Sequence, residues 1–71
     1  MPSSSSQTYI AQKLRETRES VGLSQAEVAK RLERTQSYVS RCETGNRRLD
    51  VFELDEFAKL YKKPLSFFLP S

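Results

Sequence analysis

Residues 24–45 read SQAEVAKRLERTQSYVSRCETG, and this stretch decides how the chain folds. Ser24 and Glu27 stand three apart, so the serine hydroxyl can accept the amide proton of Glu27 while the carboxylate reaches back to the Ser24 amide, a capping box. A helix therefore starts there. Val28, Ala29 and Leu32 give it a short apolar face, and its end is expected near Leu32 or Glu33. Thr35 offers a second N-cap only three residues beyond Leu32. A further helix then runs over residues 36–43, with Val39 and Cys42 one turn apart as its inward positions. Gly45 terminates it, because a residue without Cβ takes the left-handed conformation that closes a helix. Its outward positions are polar and uncharged or basic: Gln36, Ser37, Ser40 and Arg41.

Upstream, Ile10, Leu14, Thr17 and Val21 recur at intervals of four, three and four, the pattern of one helical face. Gly22 ends that helix, and Leu23 can fold back on its last turn. Residues 1–7 contain four consecutive serines and no apolar periodicity, so they are expected to form a flexible arm, with residues 8–71 as the domain. Downstream, residues 46–49 are a basic loop, and Asp50 with Glu53 repeats the capping-box logic with an acid at the N-cap. Leu54, Phe57, Ala58 and Tyr61 then make an i, i+3, i+4, i+7 stripe, while Glu53, Glu56 and Lys59 fall off it. Pro64 interrupts any continuation, and the apolar cluster Leu65, Phe67, Phe68 and Leu69 fits a short terminal helix. No sustained alternation of apolar and polar residues competes with the helical periods, so the expected fold is all-α with five short helices.

The whole chain has 71 residues and a mass of 8.2 kDa, room for one small domain. A chain this short hides only about 60% of the surface its unfolded form exposes, which favours a tightly packed core over a deep substrate cavity. No apolar run approaches the roughly 20 residues that span a bilayer, and the N-terminus lacks the apolar region of a signal peptide, so a cytoplasmic location is expected. With no His and one Cys, the chain cannot build Cys/His zinc sites, Cys–His dyads, Ser-His-Asp triads or an internal disulfide. Gly22 and Gly45 stand far apart, so no Gly-rich phosphate loop exists. Asp55 and Glu56 are adjacent on a helix and point about 100° apart, a poor arrangement for acid/base work. The chain is therefore not expected to be an enzyme, and no catalytic residue, metal or cofactor is assigned.

Two short helices joined by about three residues, the second with a polar outer face, form a helix-turn-helix. Gln25 opens the first of them, small Ala29 sits where they cross, and Val28, Leu32, Val39 and Cys42 face inward. In these features residues 25–44 resemble the DNA-binding unit of the lambdoid phage repressor and Cro group, the XRE family. The flanks agree: VGLSQ at 21–25, ETG at 43–45 and residues 54–69 resemble the rest of that family's five-helix, lambda-repressor-like domain. The resemblance thus covers roughly residues 8–69. Glu33 and Lys62 depart from it, standing where the family often has Gly, and Cys42 replaces a larger apolar residue.

The resemblance implies that the helix over residues 36–43 enters the major groove and brings Gln36, Ser37 and Arg41 near base edges. Their chemistry suits that role, since a Gln amide matches adenine N6 and N7 and an Arg fork matches guanine O6 and N7. The plainer alternatives are a solvated first-turn residue for Gln36, either role for the Ser37 hydroxyl, and an exposed charge or phosphate clamp for Arg41. Gln25 is expected to share a phosphate oxygen with the unpaired amides at its helix start. Asn46, Arg47 and Arg48 are expected on the phosphate backbone, with Arg34 and Tyr38 as further phosphate candidates; a solvated basic loop is the alternative. By position, Arg18 and Glu43 match an Arg and a Glu that often pair in the family and tie the recognition helix to the body. Two unrelated surface charges are the alternative there. Cys42 reads as a small buried hydrophobe.

Charge placement agrees with a polyanionic partner. Residues 1–48 hold nine basic and five acidic side chains, whereas residues 49–71 hold three and four, within a net charge of +3. Four large apolar side chains in the cluster Leu65, Phe67, Phe68 and Leu69 exceed what a domain of this size readily buries. Part of the cluster is expected to form a two-fold homodimer interface, the other members completing the core. The resulting expectation is a sequence-specific regulator of transcription, most often a repressor in this family, bound as a homodimer to a pseudo-palindromic double-stranded DNA operator. The alternative is an antitoxin or adaptor-type interaction module whose main partner is a protein.

Overall fold

A computed structural model describes residues 5–70 of the chain. Four α-helices follow one another: α1 (Ser5–Ser20), α2 (Gln25–Leu32), α3 (Gln36–Thr44) and α4 (Val51–Tyr61). A single 3₁₀ turn, Leu65–Phe68, stands where a fifth helix was expected. Pro64 and Pro70 bracket this segment and leave no length for a full α-helix. No strand occurs among the described residues, and none of their helices is long and apolar enough to cross a membrane.

The helix starts follow the cap chemistry. Ser24 Oγ accepts from the Glu27 amide at 3.0 Å and Glu27 Oε1 from the Ser24 amide at 2.8 Å. Thr35 Oγ1 accepts from the Tyr38 amide at 3.1 Å. At α4 the reciprocal bonds join Asp50 and Glu53, at 2.8 and 3.1 Å. Each such cap satisfies amides that the first helical turn cannot pair internally, and losing one costs about 1 kcal/mol. The ends share another device: every α-helix is followed by a residue in the left-handed region, Gly22, Glu33, Gly45 and Lys62. At Glu33 and Lys62 a side chain occupies a conformation that Gly takes freely, and both adopt φ 59°. The bonds Arg34 N to Ala29 O and Lys63 N to Ala58 O, both 2.9 Å, close these turns in the way Leu23 N to Arg18 O closes α1.

α3 lies against both α1 and α2, and α4 with the 3₁₀ turn covers the remaining side. Leu14, Val28, Ala29, Val39, Cys42, Leu54, Phe57, Ala58, Tyr61 and Phe68 form the core between them. Aromatic rings run through it in a row, Tyr38 on Phe57, Phe57 on Tyr61 and Tyr61 on Phe68, with centroids 6.2 to 6.3 Å apart. Burying a side chain of Phe size stabilises by about 1.5–3 kcal/mol, so this row supplies much of what so short a chain needs.

Three expectations change. α1 starts at Ser5 rather than Thr8, so residues 5–7 belong to the helix and not to an arm; residues 1–4 lie outside the described residues. Gln7 Nε2 donates to Gly45 O, which anchors this first turn to the end of α3. Val21 is exposed, because α1 has already ended at Ser20 and the chain is turning toward Gly22. Phe68 is wholly buried in the core of a single copy, so it cannot lie in an interface between two.

Candidate nucleic-acid interface

On α3 the inward residues Val39, Cys42 and Glu43 are buried, while Gln36, Ser37 and Arg41 are exposed and Ser40 is half-buried. Gln36, Ser37 and Arg41 thus share one solvent-facing side, Ser37 and Arg41 four residues apart. Just past α3, Asn46 and Arg48 are exposed as well. Among the described residues Arg41 and Arg48 make no ion pair, which leaves both guanidinium groups available to a ligand.

A buried ion pair fixes this helix to the body. Arg18 Nε on α1 donates to Glu43 Oε2 at 2.8 Å, and Arg18 Nη1 donates to Leu23 O at 2.9 Å. The second Glu43 oxygen accepts from Gln25 Nε2 at 3.1 Å, so one carboxylate joins α1, α2 and α3. Its hydrogen bond to Glu43 holds the Arg18 guanidinium above its ordinary pKa, against the opposing effect of burial. Gln25 therefore has one N–H of its side-chain amide committed within the protein, which leaves the second N–H as a donor for another partner.

The other basic candidates occupy a second cluster around Tyr38. The guanidinium carbons of Arg34 and Arg47 lie 4.8 and 4.9 Å from the centre of its ring. Each arginine also meets a carboxylate of α4. Arg34 Nη2 donates to Glu56 at 3.2 Å, and Arg47 Nη2 donates to Glu53. Glu53 and Glu56 are three apart and so share a helix face. The Arg34 pair is substantially exposed and contributes roughly 0–1 kcal/mol. Its bond to Glu53 holds Arg47 above its usual pKa.

Tyr38 does not fit the phosphate role expected of it. Its hydroxyl is buried without a hydrogen-bond partner, its ring stacks on Phe57 with an interplanar angle of 10°, and burial pushes its pKa up to about 12. Tyr38 ends the aromatic row with its hydroxyl turned away from solvent, so the polar atom that a phosphate would need is not presented at the surface. Its effect on a ligand runs through the two arginines it supports. The capping role of Glu53 is visible in sequence, but the pairing of Glu53 and Glu56 with Arg47 and Arg34 is not, because it depends on how α4 lies against the α2–α3 turn and the segment after α3.

The C-terminal apolar cluster divides. Phe68 is core, Leu65 and Phe67 are half-buried against it, and Leu69 is 42% exposed. The Phe67 ring carries the ammonium groups of Lys13 and Lys63 at 4.8 and 4.9 Å from its centre.

The same architecture recurs in known structures. The DNA-binding domain of BldD superposes with a TM-score of 0.86 at 31% identity, over 97% of this chain and all of that one. The restriction-modification controller protein C.AhdI from Aeromonas hydrophila gives 0.81 at 27% identity, over 87% and 94%. The iron(II) form of HppE gives 0.85 at 25% identity over 96% of this chain, which corresponds to 35% of that longer protein. No curated protein matches the sequence. The helix-turn-helix domain family matches residues 10–64, well over half of the chain. With α2, the Glu33 turn and α3 in the geometry just described, the chain belongs to the helix-turn-helix domain family.

Proposed function

We propose that this protein is a sequence-specific double-stranded DNA-binding regulator of transcription that acts as a repressor. α3 lies in the major groove, Gln36, Ser37 and Arg41 meet base edges, and Gln25, Arg34, Asn46, Arg47 and Arg48 meet phosphates. The observation that carries this reading is the solvent-facing row Gln36, Ser37 and Arg41 on a helix held to the body by the buried Arg18–Glu43 pair. Preorganisation of that kind is what base recognition requires, since side chains on a loosely held helix would lose their register with the base pairs. The likeness to the DNA-binding domain of BldD and to a restriction-modification controller protein supports it.

A single copy offers one recognition helix, and a homodimer offers two, spaced about 34 Å apart on a pseudo-palindromic operator. Leu69, with the half-buried Leu65 and Phe67, is the surface we assign to that contact. Selection of bound duplexes from a random pool tests the reading. Enrichment of a two-fold symmetric sequence is expected, with affinity that falls steeply as salt rises because bound phosphates release their counterions. A pool that emerges without any enriched sequence contradicts it.

A further inference from the structure

We propose that Glu56 on α4 withholds Arg34 from the phosphates of random duplex DNA and so limits non-specific binding. The inference rests on the DNA-binding reading above and concerns the strength with which that site grips any duplex. Glu56 serves α4 neither as a cap, which Asp50 and Glu53 provide, nor as a core residue, since it is exposed. Its carboxylate instead reaches the turn between α2 and α3, where Arg34 Nη2 lies 3.2 and 3.5 Å from its two oxygens. An acid so close to a surface that meets a polyanion repels the ligand, and it also engages Nη2 of the one arginine in that turn and neutralises its charge locally.

The two arginine pairs of this cluster differ in a way that singles out Arg34. Arg47 is held by Glu53, whose other oxygen accepts from the Asp50 amide at 3.1 Å, and the Arg47 Nε is buried. The Glu53 carboxylate is thus held at both oxygens and stays in place while Arg47 meets a phosphate with its remaining donors. The two arginines are similarly exposed, 35% for Arg34 and 38% for Arg47, and the difference lies in the acids: Glu56 is 46% exposed against 16% for Glu53, so a phosphate can replace the Glu56 carboxylate without opening the core. The stack of Arg34 over Tyr38 keeps the guanidinium near the surface during such an exchange. At a cognate site, where α3 seats fully, the guanidinium is brought against a phosphate and changes partner; on random DNA it stays with Glu56.

Glu56→Gln retains side-chain size and helix propensity while removing the charge. The affinities of the wild-type protein, Glu56→Gln, Arg34→Ala and the double variant are measured on a random duplex and on a selected one, at several salt concentrations. Glu56→Gln is expected to raise affinity for the random duplex about 3- to 10-fold at low salt and to steepen its log–log salt slope by about 0.9, one added phosphate contact. A smaller rise is expected on the selected duplex, so discrimination falls. In the Arg34→Ala background the rise is expected to shrink to the smaller part that charge repulsion alone contributes, with no added steepening of the salt slope. An equal rise with or without Arg34 reduces Glu56 to one charge among many and overturns the proposal, as does unchanged random-duplex affinity. Failure of every variant to bind any duplex overturns the DNA-binding reading itself, and this proposal with it.

Discussion

Arg18 Nε donates to Glu43 Oε2 at 2.8 Å between α1 and α3, and the Glu43 side chain is only 1% exposed. A carboxylate so far from water relies on Arg18 and Gln25 to offset its lost hydration. Removing Arg18 strands that charge, which costs about 3–5 kcal/mol for a buried pair. Arg18→Ala is therefore expected to lower the urea midpoint sharply, and Arg18→Met with Glu43→Gln to recover much of the loss. A small effect of Arg18→Ala would mean that the pair contributes little to holding α3.

The left-handed helix ends at Glu33 and Gly22 predict opposite responses, since a side chain is removed at one and added at the other. A left-handed L-residue costs about 1–2 kcal/mol, offset in part by the greater freedom of Gly in the unfolded chain. Glu33→Gly is expected to stabilise by up to about 1 kcal/mol in thermal or urea unfolding. Gly22→Ala is expected to destabilise by about 1 kcal/mol through the backbone alone, because an added Cβ there meets no atom within 4 Å. Equal signs for the two substitutions would contradict this account of the turns.

Burial makes the protein sensitive to alkali. The Cys42 thiol is pushed up from 9.0 to about 11 by burial, and the Tyr38 hydroxyl from 10.0 to about 12. A raised folded-state pKa means that the folded protein holds its proton more tightly than the unfolded chain. The stabilisation is fully present below about pH 9 and is lost as pH rises through about 11. Urea midpoints measured across this window should fall, and Cys42→Ala should remove part of the slope. The folded thiol should also react with a thiol reagent far more slowly than the unfolded one. Equal rates would place Cys42 outside the core.

Phe68 and Leu69 are neighbours with different predicted fates. Phe68→Ala removes a fully buried ring and should cost about 3–5 kcal/mol. Leu69→Ser should leave unfolding nearly unchanged but convert a dimer to monomer in sedimentation. A wild-type protein that sediments as a monomer with and without DNA would contradict the assigned contact.

What could be read from the sequence was mostly local. Ser24 with Glu27, Thr35, and Asp50 with Glu53 mark helix starts because a cap is a matter of residue type over four positions. The stripe Leu54, Phe57, Ala58 and Tyr61 is likewise legible, as it needs only the helical period, and all four are buried. The failures involve distant partners or a change of period. Ser5, Ser6 and Gln7 show no apolar repeat, yet they are helical, and Gln7 bonds a carbonyl 38 residues away. Inside the last cluster, a 3₁₀ turn rather than an α-helix selects Phe68 as the inward ring. The inward Tyr38 hydroxyl and the pairing of Arg34 and Arg47 with α4 carboxylates also depend on how helices pack. No local motif announces them.

The central claim, that the exposed side of α3 reads bases, is tested most directly by comparing base preferences of the wild-type protein and Arg41→Ala on a library of single-substituted operators. Loss of preference at one base position, worth about 1–3 kcal/mol, with the other positions retained, is the predicted result. A uniform loss over cognate and random duplexes alike would place Arg41 on the phosphate backbone and contradict the claim.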